Sequence, residues 1–116
     1  MVPSDDLPWV AQLRRGAAEH CVLALLRHGE RYGFDLAKLL VGTHGLIASE
    51  GSIYPLLGRL RRNGLVETTW QESAEGPPRR YYRLTEAGER SLVSFMGHWK
   101  VFRDAVDGIL NEGDAA

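Results

Sequence analysis

Two sets of residues in this 116-residue chain have the types and spacing to do chemistry on a partner. The first lies in EGSIYPLLGRLRRNGLV, residues 50–66. On a helix, Ile53, Leu56, Leu57 and Leu60 are spaced 3, 1 and 3 apart and gather on one side. That side is core, which leaves Tyr54, Arg59, Arg61 and Arg62 in the open. Gly51 and Ser52 let backbone amides approach an anion closely, and the helix N-terminus adds partial positive charge there. Tyr54 offers a flat ring and a hydroxyl, while Arg59 and Arg62 have the reach for phosphates or a guanine edge. Pro55 is harmless if Ser52 is the N-cap, because it then falls in the first turn, and its rigidity helps present Tyr54. Three arginines on one helix face are common in solvated helices. What strengthens the nucleic-acid reading is recurrence: Arg79 and Arg80 follow the Gly76-Pro77-Pro78 turn, with Arg83 further along.

The second set is an apolar stripe near the end of the chain. Leu92, Phe95, Trp99, Phe102, Val106 and Ile109 recur at intervals of 3, 4, 3, 4 and 3, the a/d seam of a coiled coil. No other segment has a matching long seam, so the natural partner is the same helix of a second copy. The plainer reading packs the stripe on the chain's own first helix.

The elements that must carry these residues follow from the pattern between them. Pro3 and Pro8 oppose regular structure, so residues 1–12 read as an arm or short helix in which Trp9, Val10 and Leu13 form one amphipathic turn. After Gly16, AAEHCVLALLRHG reads as a buried first helix closed by Gly29. YGFDLAKLL, residues 32–40, is a second helix, and THGLIASEG is a loop. The third helix spans Ser52 to Asn63 and stops at Asn63-Gly64. The period then changes to two: LVETTWQ and RRYYRL read as a hairpin around SAEGPP, with Tyr81 and Tyr82 on opposite faces. Thr85 caps a last helix whose first turns hold Glu86 and Glu89. The expected fold is mainly α with a small β-hairpin: a winged helix-turn-helix over residues 13–84, a C-terminal dimerisation helix over 85–112, and a disordered tail over 113–116. In such a fold the third helix enters the DNA major groove and the hairpin meets the neighbouring backbone.

Composition narrows the alternatives. The length suits one domain. A net charge of −1 forbids any argument from overall basicity, yet residues 50–83 carry six basic and four acidic groups while residues 84–116 carry three and six. An anionic partner would meet the middle of the chain. One cysteine, Cys21, excludes an internal disulfide and suggests a reducing compartment. The absence of a long apolar run and the acidic, Pro-containing start favour a soluble cytoplasmic protein. No phosphate loop or activated nucleophile suggests an enzyme. His20, Cys21, His28, His44 and His98 raise a metal-responsive regulator of the same fold as an alternative, though none of their spacings is a recognised ligand pattern. A winged helix that binds a partner protein is another. No cofactor is expected.

YGFDLAKLL, GSIYPLLGRLRRNGLV and GPPRRYYRLTEAG together resemble the PadR family of bacterial transcriptional regulators, over roughly residues 13–90. Phe34 departs from the family, where tyrosine is frequent. The single C-terminal helix resembles the short members. The resemblance implies a homodimer built through the last helix, binding an inverted-repeat operator, usually as a repressor. It also implies an effector site in which Trp99 faces its symmetry mate and stacks on a planar aromatic ligand, with Phe95 and Arg103 beside it and His20 and Ala24 on the wall. The plainer role of Trp99 is a dimer core residue.

Overall fold

A computed structural model of the chain describes residues 8–43 and 45–112. His44, residues 1–7 of the expected arm and the expected tail at 113–116 lie outside the described residues. Along the chain come α1 (Pro8–Leu26), β1 (Arg31–Tyr32), α2 (Gly33–Gly42), a 3-10 turn (Glu50–Ser52), α3 (Ile53–Arg62), β2 (Val66–Gln71), β3 (Arg79–Leu84) and α4 (Glu86–Leu110).

The first helix is longer than its pattern suggests, because it begins at Pro8 and runs through Gly16. Proline fits the first helical position, where its missing amide has no carbonyl to serve. Gly16 weakens a helix by about 1 kcal/mol relative to alanine but does not end one. The second half is anchored by buried Ala18, Val22, Leu23 and Leu26, and winding propagates back from that nucleus more easily than it starts anew. Arg14 Nε also donates to the Gly45 carbonyl at 2.8 Å, tying the first half to the α2–α3 loop.

Buried Leu36, Ala37 and Leu40 of α2 meet buried Ile53, Leu56, Leu57 and Leu60 of α3. Those four are the residues that sequence spacing places on one side of the recognition helix. Ser52 departs from its expected role as the capping side chain. It has helical dihedrals, φ −67° and ψ −18°, and its hydroxyl pairs with Ser49 Oγ at 3.1 Å. Helical winding begins earlier, at the 3-10 turn, where extended Ser49 accepts the Ser52 amide at 3.0 Å. Pro55 still falls in the first turn of α3. At the other end, Gly64 takes φ +73° while Leu65 N donates to Leu60 O at 2.9 Å and Gly64 N to Arg61 O at 3.0 Å. This glycine-dependent closure satisfies carbonyls that the helix end would leave bare.

The hairpin gains a third strand. The sheet order is β1-β3-β2, all antiparallel, with Tyr32 opposite Tyr81 and Trp70 opposite Arg80. Two residues are too few for a periodic signal, so β1 is visible only in three dimensions. Tyr82 and Val66 face the core.

The last helix is fixed at its start. Thr85 Oγ1 accepts the Gly88 amide at 3.0 Å and donates to the Gly64 carbonyl at 2.7 Å. A Cβ at Gly88 would stand 2.1 Å from Leu65 O and 2.6 Å from Leu84 Cδ1. Leu92, one turn further, is fully buried in the core. Its assignment to a dimer seam is therefore corrected: heptad spacing carries it, but its side chain is consumed by the chain's own domain. Every residue from Met96 to Glu112 is exposed.

Gly88→Ala is expected to destabilise the fold by about 2 kcal/mol or more, since the clash is with backbone. Gly97→Ala, on the same helix with nothing near its Cβ position, is expected to stabilise by up to about 1 kcal/mol. Urea unfolding of both variants checks the contrast, and equal effects would contradict the close approach of α4 to Leu65.

Candidate nucleic-acid interface

Tyr54 stands at the start of α3 with 53% of its surface exposed. Its ring edge lies 3.7 Å from where a Gly33 Cβ would be, and the Tyr82 ring lies 3.2 Å from the same point. Glycine after Tyr32 thus lets α2 begin directly against both rings. Partial desolvation raises the Tyr54 pKa, and nearby Tyr32, Tyr82 and Glu50 add to the rise. Its hydroxyl therefore remains a neutral donor at physiological pH, suited to a phosphate oxygen or a base acceptor. Gly51 and Pro55 are exposed beside it, and Ser52 is half-buried.

The arginines of α3 differ. Arg59 Nε donates to Glu19 Oε1 of α1 at 2.8 Å, so its charge is already partly answered. Arg61 and Arg62 are exposed in the last turn, and neither makes an ion pair among the described residues. Glu19 gave no sign in the sequence of reaching across to α3.

On the hairpin, each arginine has a different fate. Arg79 is exposed and lies over the Tyr32 ring at 4.9 Å. Arg80, on the opposite face of β3, lies over Trp70 at 4.8 Å, and its Nε is buried without a hydrogen bond. Arg83 Nε donates to Glu67 at 2.9 Å. The loop between the strands exposes Glu72 and Glu75. Arg79 and Arg80 therefore sit at the loop end of the hairpin, opposite Gln71 and Trp70, with Glu72 and Glu75 close by in the loop. Tyr32 and Trp70, which hold the two arginines, escape a reading by sequence spacing because each acts across strands.

A second feature is a cleft of about 1180 Å³ between the first half of α1 and the second half of α4. Phe95, Trp99, Phe102, Arg103 and Val106 line it from α4, and Trp9 and Leu13 from α1. A ladder of rings leads into it. His20 stacks on Phe95 at 4.1 Å and 6°, Phe95 on Trp99 at 5.8 Å and 13°, and Trp99 tilts toward Phe102 at 6.3 Å. His20 therefore backs the wall from behind Phe95, and half-buried Ala24 packs toward the core; neither lines the cleft, because α1 reaches back to Pro8 and its first half forms that wall. Arg103 donates to Asp104 at 3.3 Å, and Lys100 to the same carboxylate at 3.0 Å. The Lys100 hydrogen bond, helped by Arg103, holds the Asp104 carboxyl below its ordinary range. Trp99, Phe102, Val106 and Ile109 remain substantially exposed. Burial pushes the Cys21 thiol up, so it is not an activated nucleophile. Among the described residues, no group of three or more His, Cys, Asp or Glu side chains could hold a metal ion. No described helix is long and apolar enough to cross a membrane.

The family model described as the transcriptional regulator PadR-like family matches residues 22–94. Transcriptional regulator Rv3488 of Mycobacterium tuberculosis is 35% identical over 82 residues, 71% of this chain and 75% of that protein. The crystal structure of a PadR-like transcriptional regulator from Bacillus cereus superposes with a TM-score of 0.76 at 36% identity, covering 85% of this chain and 96% of the other. Bacillus subtilis PadR, solved in complex with operator DNA, aligns with a TM-score of 0.62 at 26% identity, over 69% of this chain and 46% of its own. The match spans the recognition helix, the wing and the Thr85–Gly88 joint, and its members are regulators, not enzymes: this chain belongs to the PadR-like family of transcriptional regulators.

Proposed function

We propose that the protein is a homodimeric repressor that binds an inverted-repeat operator and releases it on binding a planar aromatic molecule. The DNA reading is carried by one observation: Tyr54, Arg62 and Arg79 stand exposed on α3 and the wing of a winged helix whose family regulates transcription. The structure of B. subtilis PadR with operator DNA supports it. Dimerisation is supported by the exposed apolar residues of α4, among them Trp99 at 40%, Phe102 at 62% and Ile109 at 72%. A face of that size left in water has a standing reason to find a partner. The cleft beside Trp99 is wide enough for a drug-sized ligand, and stacking on the indole selects flat rings.

The release mechanism is differential binding. An effector shifts a dimer only by the difference in its affinity for two geometries. A duplex repeats its half-sites about 34–36 Å apart, so spreading the two α4 helices moves the two α3 helices out of register.

Binding to DNA from upstream of the protein's own coding sequence is expected by electrophoretic shift, with affinity falling steeply as salt rises. Arg62→Ala should weaken it about tenfold and Arg59→Ala only about threefold, because Arg59 is paired with Glu19. Equal losses would refute that ranking.

Light scattering should find a dimer at micromolar concentration. In a Trp9→Phe, Trp70→Phe background, planar aromatic dyes should quench the remaining Trp99 emission. A monomer, or emission unmoved by any dye, would sink the corresponding part of the proposal.

A further inference from the structure

Three of the arginines described above are already occupied by acids. Arg59 is bound to Glu19, Arg83 to Glu67 and Arg103 to Asp104. Arg79 is held differently, with its guanidinium carbon 4.9 Å above the centre of the Tyr32 ring. A carboxylate partner takes up N–H donors and cancels charge. An aromatic ring cancels no formal charge, and the Arg79 side chain makes no hydrogen bond or ion pair among the described residues. Arg79 is thus ordered while its donors stay free for a phosphate.

Tyr32 is well placed to act as that platform. It precedes α2 in extended conformation, φ −72° and ψ 136°, and pairs in β1 with Tyr81 of β3. Its ring contacts those of Tyr81 at 5.9 Å and Phe34 at 6.2 Å. Two residues earlier, just before β1, Glu30 Oε1 accepts from Gln71 Nε2 at 2.6 Å, which ties the end of β2 to the start of β1. Tyr32 also lies close enough to Tyr54 to help raise its pKa. One side chain therefore touches the wing and adjoins the recognition helix.

We infer that Tyr32 is a positioning residue for DNA recognition: its ring holds Arg79 at the loop end of the wing, with the guanidinium N–H groups free to meet phosphate. This rests on the DNA reading above. Ordering the long side chain in the free protein removes rotamer loss from the binding step. The hydroxyl of Tyr32 has no part in it.

The test is a double-mutant cycle on the upstream DNA fragment. Tyr32→Leu should weaken binding about three- to fivefold, and Tyr32→Phe should restore it. Arg79→Gln should weaken it about tenfold and lower the salt slope by about 1. Adding Tyr32→Leu to Arg79→Gln should change nothing further. Additive losses, or wild-type affinity in Tyr32→Leu, would overturn the inference while leaving the DNA reading standing. If the wild type does not bind the fragment at all, the DNA reading fails and the inference with it. NMR of the unsubstituted protein gives a second readout that no folding defect can obscure. Ring current from Tyr32 should move the Arg79 side-chain signals upfield of those of Arg83, and Arg79 signals at random-coil positions would equally overturn the inference.

Discussion

The orientation of the last helix depends on one small joint. Thr85 uses a single hydroxyl twice, accepting from Gly88 at the start of α4 and donating to Gly64 at the end of α3. Gly64 is the left-handed residue that closes the recognition helix, so the same atoms end one helix and begin the other. Gly88 lets the two backbones meet with no side chain between them. The Arg27–Glu89 ion pair clasps the outside of this joint. Because both residues are about 40% exposed, it contributes about 1 kcal/mol at most. Backbone contact, not charge, sets the angle between α3 and α4.

Charge matters at the other surface, and there by placement and not by total. A chain with a net charge of −1 draws phosphate only if some cations are left unanswered. Two are answered, Arg59 and Arg83 by acids, while Arg79 and Arg80 lie over rings that leave their charge uncancelled. At the base of the wing Arg83 is paired with Glu67, so the uncancelled positive charge is Arg79 and Arg80 at the loop end, with Glu72 and Glu75 beside them.

What could be read from the sequence was what repeats locally. The buried side of α3 was legible because four large apolar residues at helical spacing leave little choice. The wing was legible from a change of period and a Gly-Pro-Pro turn. The start of α1 was not, since proline and glycine there look like breaks, and the tertiary contacts that override them are distant in sequence. Ser52 looked like a cap because its type and position fit, but a turn that starts at Glu50 took over that end. Leu92 shows a limit of heptad reasoning: the spacing marks an apolar stripe without saying which of its members the chain covers itself. Tyr32 under Arg79 and Trp70 under Arg80 pair residues from different strands, and no periodicity within one segment reports them.

The same stripe explains how a ligand near Trp99 would act at a distance. Only the first turns of α4 are clamped, by Gly88 and Leu92. Phe95 is the next contact, half-buried and stacked flat on His20, where Leu92 is fully embedded in the core. Beyond Met96, whose sulfur accepts from Arg27 Nη1 at 3.7 Å, the stretch from Gly97 to Leu110 extends about 21 Å with every residue exposed. A tilt of about 10° at Phe95 would carry its end about 4 Å, by the geometry of a rigid rod. In the proposed dimer the far ends are held by the partner, so the same tilt is instead delivered to the domains and their recognition helices. In that dimer, a ring inserted beside Trp99 would lie next to the pivot, where a small displacement would cost little core packing and would change the spacing of the two recognition helices.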